Sequence, residues 1–162
     1  MAIILGLDVS SRLTGWAVMK HGRFYKREGI DYGIIKGHPK LGQAERLSLF
    51  RAELEDLIIR NSPDVISIED AFFARNYKTY KVLCRFGGVA METCRTIGNV
   101  EPLIVPVKLL RTVWGTQVKE EIFNKVTTKY KLKELNFKKH NDITDAIAIA
   151  WYTHKLEVDN EK

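Results

Sequence analysis

Long apolar runs, paired cysteines and a secretory leader are all missing from this sequence of 162 residues. No apolar stretch approaches the roughly 18 residues that a membrane-spanning helix requires. The apolar N-terminus, residues 1–5, lacks the basic segment and the small-residue cleavage site of a signal peptide. Cys84 and Cys94 are too few for a disulfide framework and do not have zinc-finger spacing. We therefore expect a cytoplasmic protein, without a membrane anchor.

Internal repeats and low-complexity linkers are also missing. A chain of this length has the size of one domain and buries roughly 68–70% of its unfolded surface, so it folds without a disulfide or a metal staple. We expect one domain over residues 1–156, followed by a short tail over residues 157–162.

Positive charge is in excess, with 26 lysines and arginines against 20 acidic residues and a formal net charge of +6. The basic residues cluster at 20–27 and again between Lys119 and Lys139. A polyanionic partner such as nucleic acid fits this distribution, and a solvated protein face is the alternative for each cluster.

Alternating and helical patterns succeed one another along the chain. Strands are predicted at 3–9, 14–20, 23–35, 64–69 and 103–105, and helices at 42–60, 77–97, 107–113, 117–130 and 141–156. The first three strands form an antiparallel meander, and the later strands alternate with helices. This order predicts the α/β class, a mixed sheet with helices on its faces.

Acidic residues stand at the ends of separate predicted elements. Asp8 closes the first strand and Glu69 closes the fourth, while Asp142 and Asp145 lie three apart near the start of the last helix. Each acid taken alone has an ordinary explanation as a turn, surface or helix N-terminal residue. Asp145, however, directly precedes the apolar run 146–150, and a carboxylate in such surroundings needs a partner.

A cluster of four carboxylates requires cations, because like charges a few ångströms apart repel strongly. Mg²⁺ prefers oxygen ligands and often shares them with phosphate. Two such ions can activate water and stabilise the leaving oxygen of a phosphodiester. The sequence contains no Ser-His-Asp or Cys-His arrangement that would favour covalent catalysis instead.

Three segments resemble the RuvC Holliday-junction resolvases. Residues 5–18 read LGLDVSSRLTGWAV, residues 68–76 read IEDAFFARN and residues 142–150 read DITDAIAIA. They resemble the family's opening G-I-D-P-G-S-x-x-T-G strand and turn, its second acidic motif and its final D-x-x-D-A-L-A-I-A helix. The match spans residues 2–152 in the family's order and spacing.

The resemblance implies an RNase H-like α/β fold with a mixed five-stranded sheet and helices on both faces. It implies a homodimer that nicks opposed strands of a four-way DNA junction, using two Mg²⁺ ions per site with Mn²⁺ as an alternative. Asp8, Glu69, Asp142 and Asp145 would be the catalytic metal ligands, and Lys119 would act at the scissile phosphate. Any helicase partner is unknown.

The resemblance also indicates DNA contacts. Phe72 corresponds to an aromatic residue that stacks on an unpaired base, and either Phe72 or its neighbour Phe73 could instead pack in the core. The remaining predicted contacts are Arg75, Asn76, Lys78, Arg111 and Lys119. The helix 77–97 is the candidate dimer interface, since Gly87 and Gly88 would permit a close approach.

Several positions depart from the family pattern. Val9-Ser10 replaces the usual Pro-Gly, and the loop 115–119 is about two residues short. Leu110 stands where a lysine is usual, so Lys108 or Arg111 is the candidate replacement. These departures leave open a broader flap or branched-DNA endonuclease, as in a phage or mobile element, and a non-catalytic junction-binding module. An actin-like nucleotide-binding protein would need a second phosphate motif that the sequence lacks.

Overall fold

The computed structural model describes residues 2–20, 23–24, 31–71 and 76–160. Its strands are β1 (Ile3–Asp8), β2 (Leu13–Lys20), β3 (Arg23–Phe24), β4 (Asp31–Lys36), β5 (Val65–Glu69) and β6 (Leu103–Val105). Its helices are α1 (Gln43–Asn61), α2 (Tyr77–Gly98), α3 (Val107–Trp114), α4 (Lys119–Tyr130) and α5 (Phe137–Asn160). No helix in these ranges is long and apolar enough to cross a membrane.

The sheet is mixed. β1 pairs antiparallel with β2 on one side and parallel with β5 on the other, and β6 continues parallel beyond β5. β3 and β4 both pair antiparallel with β2, along the edge that β1 leaves open. Six strand segments therefore fill five positions, which confirms the predicted five-stranded mixed sheet.

Helices cover both faces of the sheet, as predicted. Alternate residues of β1 point to opposite faces, so Leu5 and Leu7 join the core beneath α1 and α2 while Ile4 joins the core beneath α4 and α5. Phe86 of α2 and Ile147 of α5 are fully buried on these two sides. Burial on both faces explains why residues 3–7 of β1 are apolar without alternating polar residues.

Two glycines set the distance between α5 and the sheet. A Cβ atom on Gly6 of β1 would overlap the carbonyl oxygen of Ala146, and one on Gly15 of β2 would overlap that of Asp142. The helix backbone therefore rests directly on the two central strands. Any larger residue would have to push α5 away.

The last helix begins earlier than the sequence indicated. The Asn136 side chain accepts a hydrogen bond from the Lys138 amide at 3.0 Å, and His140 Nδ1 accepts one from the Asn136 amide at 2.8 Å. This cap starts α5 at Phe137 rather than at 141. Asp142 consequently lies in the second turn of α5. The helix dipole stabilises acidic residues mainly in the first turn, so the dipole does not explain an acid at this position.

Apart from α5 and the third predicted strand, the predicted helices and strands start and end within two residues of the observed bounds. α5 continues to Asn160 rather than ending at 156, and the strand predicted over 23–35 is observed as β3 and β4. Residues 25–30 between them lie outside the described ranges.

Candidate active site

Asp8 and Glu69 lie side by side at one edge of the sheet. Leu7 of β1 is the register partner of Ile68 of β5, so the next residues of these parallel strands are neighbours. Their carboxyl groups are within hydrogen-bonding distance of each other. The parallel pairing of two strands that are distant in sequence therefore produces the first half of the predicted acidic cluster.

α5 supplies the second half. Asp8 is the register partner of Gly15 on β2, and Gly15 is the residue on which the Asp142 backbone rests. Asp145 follows Asp142 by three residues, so both side chains project from one side of the helix. The negative charges of Asp142 and Asp145 both raise the pKa of Asp8, which places all four acids in one cluster.

The cluster holds more negative charge than it can stabilise alone. Burial raises the pKa of Asp8 well above its usual value, and the negative charges of Glu69 and Asp145 raise it further. Burial, followed by Asp145, raises the pKa of Glu69 to about 7. Burial likewise raises the pKa of Asp142 and of Asp145. A group of oxygen ligands with mutually repelling charges is the chemistry that hard divalent cations such as Mg²⁺ stabilise.

Lys119 supplies a cation to this cluster. Its Nζ lies 2.7 Å from Asp145 Oδ2, while 47% of its side chain is exposed against 13% for Asp145. Burial lowers the pKa of Lys119, but the charge and hydrogen bond of Asp145 and the charges of Asp8 and Asp142 together raise it by more, so the net pKa is raised. Lys119 is the first residue of α4, where the helix dipole disfavours a cation. Its position therefore depends on the carboxylates.

One carboxylate of the cluster is paired with Lys119 instead of facing a possible ion position. Within residues 2–20, 31–71 and 76–160, no three His, Cys, Asp or Glu side chains are already gathered around a point where an ion could sit. Asp145 is instead paired with Lys119. The acids fit a divalent cation by their chemistry, and the cation would displace the Lys119 ammonium from Asp145.

The turn after Asp8 is held by residues to which sequence reasoning gave no role. The Thr14 hydroxyl accepts a hydrogen bond from the Ser10 amide at 3.1 Å and donates one to the Ser10 carbonyl at 2.9 Å. Arg46 of α1 donates to the Ser11 carbonyl at 2.8 Å. Thr14 belongs to the matched motif and could have been found there, but no local pattern connects Arg46 with this turn.

The described residues line three cavities at or near the carboxylates. The largest, about 410 Å³, extends from Asp8 and Glu69 along α2 to Gly87, Gly88 and Met91. The second, about 170 Å³, lies among Glu69, Arg111, Lys119 and Asp145. The third, about 320 Å³, lies beyond Arg111 and is lined also by Lys108 and Gln117. A strand of substrate can thus approach the acids from more than one side.

The structure describes some of the residues predicted to contact DNA and leaves others outside the described ranges. Phe72, Phe73 and Arg75 lie outside the described residues. Asn76 caps α2, since its side chain accepts a hydrogen bond from the Thr79 amide at 3.2 Å. Lys78 is exposed in the first turn of the same helix.

Comparison with known proteins gives a consistent result. The family model for crossover junction endodeoxyribonuclease RuvC matches residues 4–154. The protein of that name from Endomicrobium trichonymphae is 33% identical over 152 residues, covering 91% of this chain and 78% of the relative. The one from Caldicellulosiruptor saccharolyticus is 32% identical over 149 residues, covering 91% and 89% respectively.

Solved structures confirm the predicted RNase H-like fold. The T. thermophilus RuvC in complex with a Holliday junction substrate superposes with a TM-score of 0.77 at 18% identity, covering 96% of each chain. The yeast mitochondrial Holliday junction resolvase superposes with a TM-score of 0.65 at 10% identity, covering 91% of this chain and 75% of the other. Together with the matched motifs and the acidic cluster, these findings show that the chain belongs to the crossover junction endodeoxyribonuclease RuvC family.

Proposed function

We propose that this chain is a Holliday junction resolvase, an endonuclease that cuts four-way DNA junctions by paired nicks. The family it belongs to is one of metal-dependent nucleases. The observation that carries the proposal is the convergence of four carboxylates and Lys119, from four separate parts of the chain, at one end of the sheet. Repulsion among buried carboxylates lowers the stability of the folded protein, so a cluster of this kind indicates a function.

Asp8, Glu69, Asp142 and Asp145 are the residues that would hold two Mg²⁺ ions, with Mn²⁺ as an alternative. When bound, the ions supply an activated water and neutralise charge on the phosphodiester, which yields 5′-phosphate and 3′-hydroxyl ends. The protein's part is to hold the acids on rigid elements. Asp8 and Glu69 sit on paired strands, and Asp142 and Asp145 sit on a helix locked against them.

Lys119 would bind the scissile phosphate once it leaves Asp145. Its half-exposed side chain lines the second cavity together with Glu69 and Arg111, so its ammonium can turn from the carboxylate to a bound anion. A lysine there offsets the charge that builds up on the phosphate in the transition state.

A homodimer would bring two such sites to one junction, because a twofold axis relates its two active sites. We infer that α2 provides the interface. A Cβ atom on Gly87 or Gly88 would meet no other atom within 4 Å, and Met91 one turn on is 41% exposed. A second copy of the chain could therefore approach this face closely. Residues 1–156 would then be the nuclease domain of each subunit, located in the cytoplasm with its DNA.

The test compares cleavage of a synthetic four-way junction, a flap and a plain duplex, each with Mg²⁺ or with EDTA. Asp142→Asn removes one carboxylate charge and should reduce junction cleavage about 100-fold or more. Glu120→Gln, at an exposed acid in the first turn of α4, is the matched control and should cut normally.

Symmetric nicking of the junction that needs metal and is lost in Asp142→Asn supports the resolvase. Equal cutting of flap and junction would instead indicate a broader branched-DNA endonuclease, which the short loop at 115–119 also favours. Tight junction binding without cutting in either metal would contradict the proposal and leave a non-catalytic binding module.

A further inference from the structure

We propose that three polar residues around the loop 115–118 are positioning residues for Lys119, which hold its ammonium where it meets Asp145 and then the scissile phosphate. The three residues are Thr116, Glu121 and Lys125. The inference rests on the proposed function, since it concerns a lysine that would act at the cut phosphate. This is the loop whose length departs from the family pattern.

The start of α4 is weakly anchored by its own packing. Burial on this helix begins only at its fourth residue, Ile122. Lys119 is the first residue, and it carries its charge at the end of a long flexible side chain, where the helix dipole disfavours a cation. Its ammonium therefore keeps a defined position only if other contacts fix the first turn.

Thr116 and Glu121 provide such contacts. The N-cap of α4 is Val118, whose side chain has no hydrogen-bonding atom. In a capping box, the acid at the third helical position, here Glu121, reaches back to the amide of the N-cap. In this chain the Thr116 hydroxyl lies between the two: it accepts a hydrogen bond from the Val118 amide at 3.1 Å and donates one to the Glu121 carboxylate. The hydroxyl thus ties the loop to the backbone before Lys119 and to a side chain after it.

Lys125 fixes the other end of the loop. It lies four residues after Glu121 and so on the same side of α4. Its Nζ donates a hydrogen bond to the Trp114 carbonyl at 2.7 Å and a longer one to the Gly115 carbonyl at 3.5 Å. These carbonyls lie at the end of α3, where the helix dipole favours a cation. The loop is therefore held between the end of α3 and the first two turns of α4.

The ion pair of Lys119 is the contact that benefits. Its Nζ lies 2.7 Å from Asp145 Oδ2 although about half of the side chain is exposed, at 47%. An exposed lysine loses conformational entropy when it pairs, which makes most such pairs weak. A backbone that is already fixed reduces this loss, both for the pair with Asp145 and for a later contact with phosphate.

The first experiment observes the ammonium directly, without metal or DNA. An ammonium held in an ion pair exchanges its protons slowly, so its proton–nitrogen NMR signal is visible at low temperature, and Lys119→Met assigns it. Thr116→Val removes the hydroxyl and keeps the shape of the side chain, while Thr116→Ser keeps the hydroxyl. Thr128→Val, at an exposed threonine of the same helix, is the matched control.

We expect the Lys119 signal in wild type, Thr116→Ser and Thr128→Val, and its loss by broadening in Thr116→Val. Lys125→Met should lose the signal as well, whereas Lys133→Met, at an exposed lysine, should keep it. Circular dichroism checks that each variant is folded.

The second experiment is a double-mutant cycle on single-turnover cleavage of the junction at saturating protein. Thr116→Val should cut about tenfold more slowly, because a catalytic group is misplaced, while its affinity for the junction changes less than about twofold. Since Thr116 acts through Lys119, Thr116→Val should cause no further loss when it is added to Lys119→Met.

An unchanged ammonium signal in Thr116→Val would overturn the inference, and so would multiplication of the two losses in the double variant. A wild type without the signal would overturn it too, because its ammonium would not be held. Failure of the wild type to cut a junction would instead count against the proposed function, and the NMR result would still decide the role of the three residues.

Discussion

At the scale of single residues, the ion pair between Lys119 and Asp145 has two competing roles. The ammonium neutralises a carboxylate that the proposed metal ions would need, and the same lysine is placed to bind the scissile phosphate. Removing it should therefore affect metal binding and catalysis in opposite directions.

We predict that Lys119→Met binds divalent metal several-fold more tightly and cuts the junction about 100-fold more slowly. Metal affinity is measured by the rise in melting temperature with added Mn²⁺, and cleavage by single-turnover kinetics. Lys133→Met, at an exposed lysine, should match wild type in both. Weaker metal binding by Lys119→Met would show that the lysine does not compete with the ion.

The raised pKa values of the acids predict how stability depends on pH without metal. The pKa of Glu69 rises from the ordinary 4.5 to about 7 on folding. In this window the folded protein binds more protons than the unfolded chain, so stability falls as the pH rises through it.

In EDTA the melting temperature should therefore rise as the pH is lowered from 8 to 5, and Glu69→Gln should flatten this dependence. Saturating Mg²⁺ should stabilise the protein most at high pH, where the acids are charged. Thermal unfolding monitored by circular dichroism measures both effects. A melting temperature that instead falls toward pH 5 in EDTA would contradict the prediction.

The acids were predictable because each stands at an unusual place in the local pattern. Asp145 borders the apolar run 146–150, and Asp8 and Glu69 terminate apolar strands. The ion pair of Lys119 and the contact of Arg46 with the Ser11 carbonyl join residues that are distant in sequence, so no periodicity reveals them.

At the scale of secondary structure elements, the contact between α5 and the sheet depends on Gly15. We predict that Gly15→Ala destabilises the protein by about 1–3 kcal/mol, the usual cost of overpacking. Urea unfolding measures the change. Because Asp142 would move away from Asp8, cleavage by the folded variant should also fall.

Gly42→Ala is the matched control. A Cβ atom there meets nothing within 4 Å, and Gly42 lies at the start of α1 with a negative φ, so alanine should change the stability by at most about 1 kcal/mol. Equal effects of the two substitutions would show that Gly15 does not set the position of α5.

The ends of a helix or strand were predictable where the apolar periodicity reaches them. The start of α5 was not predictable, because its first turn contains two lysines and a histidine and does not continue the apolar pattern. Its cap depends on the hydrogen bond from the Asn136 amide to His140 Nδ1 and on the one that the Asn136 side chain accepts from the Lys138 amide, and neither Asn136 nor His140 belongs to the apolar pattern. His140 thus has a structural role at the helix start.

At the scale of the whole molecule, the order of strands was not predictable from periodicity. The parallel pairing of β1 with β5 follows from the antiparallel meander on one side of β1 and the helical crossover on the other. The resemblance to the resolvases implied an RNase H-like fold with a mixed five-stranded sheet, which the structure confirms, but the strand order is seen only in the structure.

The proposed dimer gives a prediction at the same scale. Met91→Asp places a charge on the exposed face of α2 and should yield folded monomers at concentrations where wild type is dimeric. Sedimentation velocity measures the change, and circular dichroism checks the fold. Nicks on the two opposed strands should then become independent of each other. A variant that stays dimeric would exclude this face of α2 as the interface.

The position of α5 has a consequence for synthesis of the protein. Asp8 and Glu69 are translated early, but the helix that carries the other two acids is the last element of the fold. A chain still attached to the ribosome before α5 emerges has only half of the proposed metal ligands. The order of the elements would therefore delay nuclease activity until the domain is complete, and truncated chains that lack α5 should be harmless to DNA.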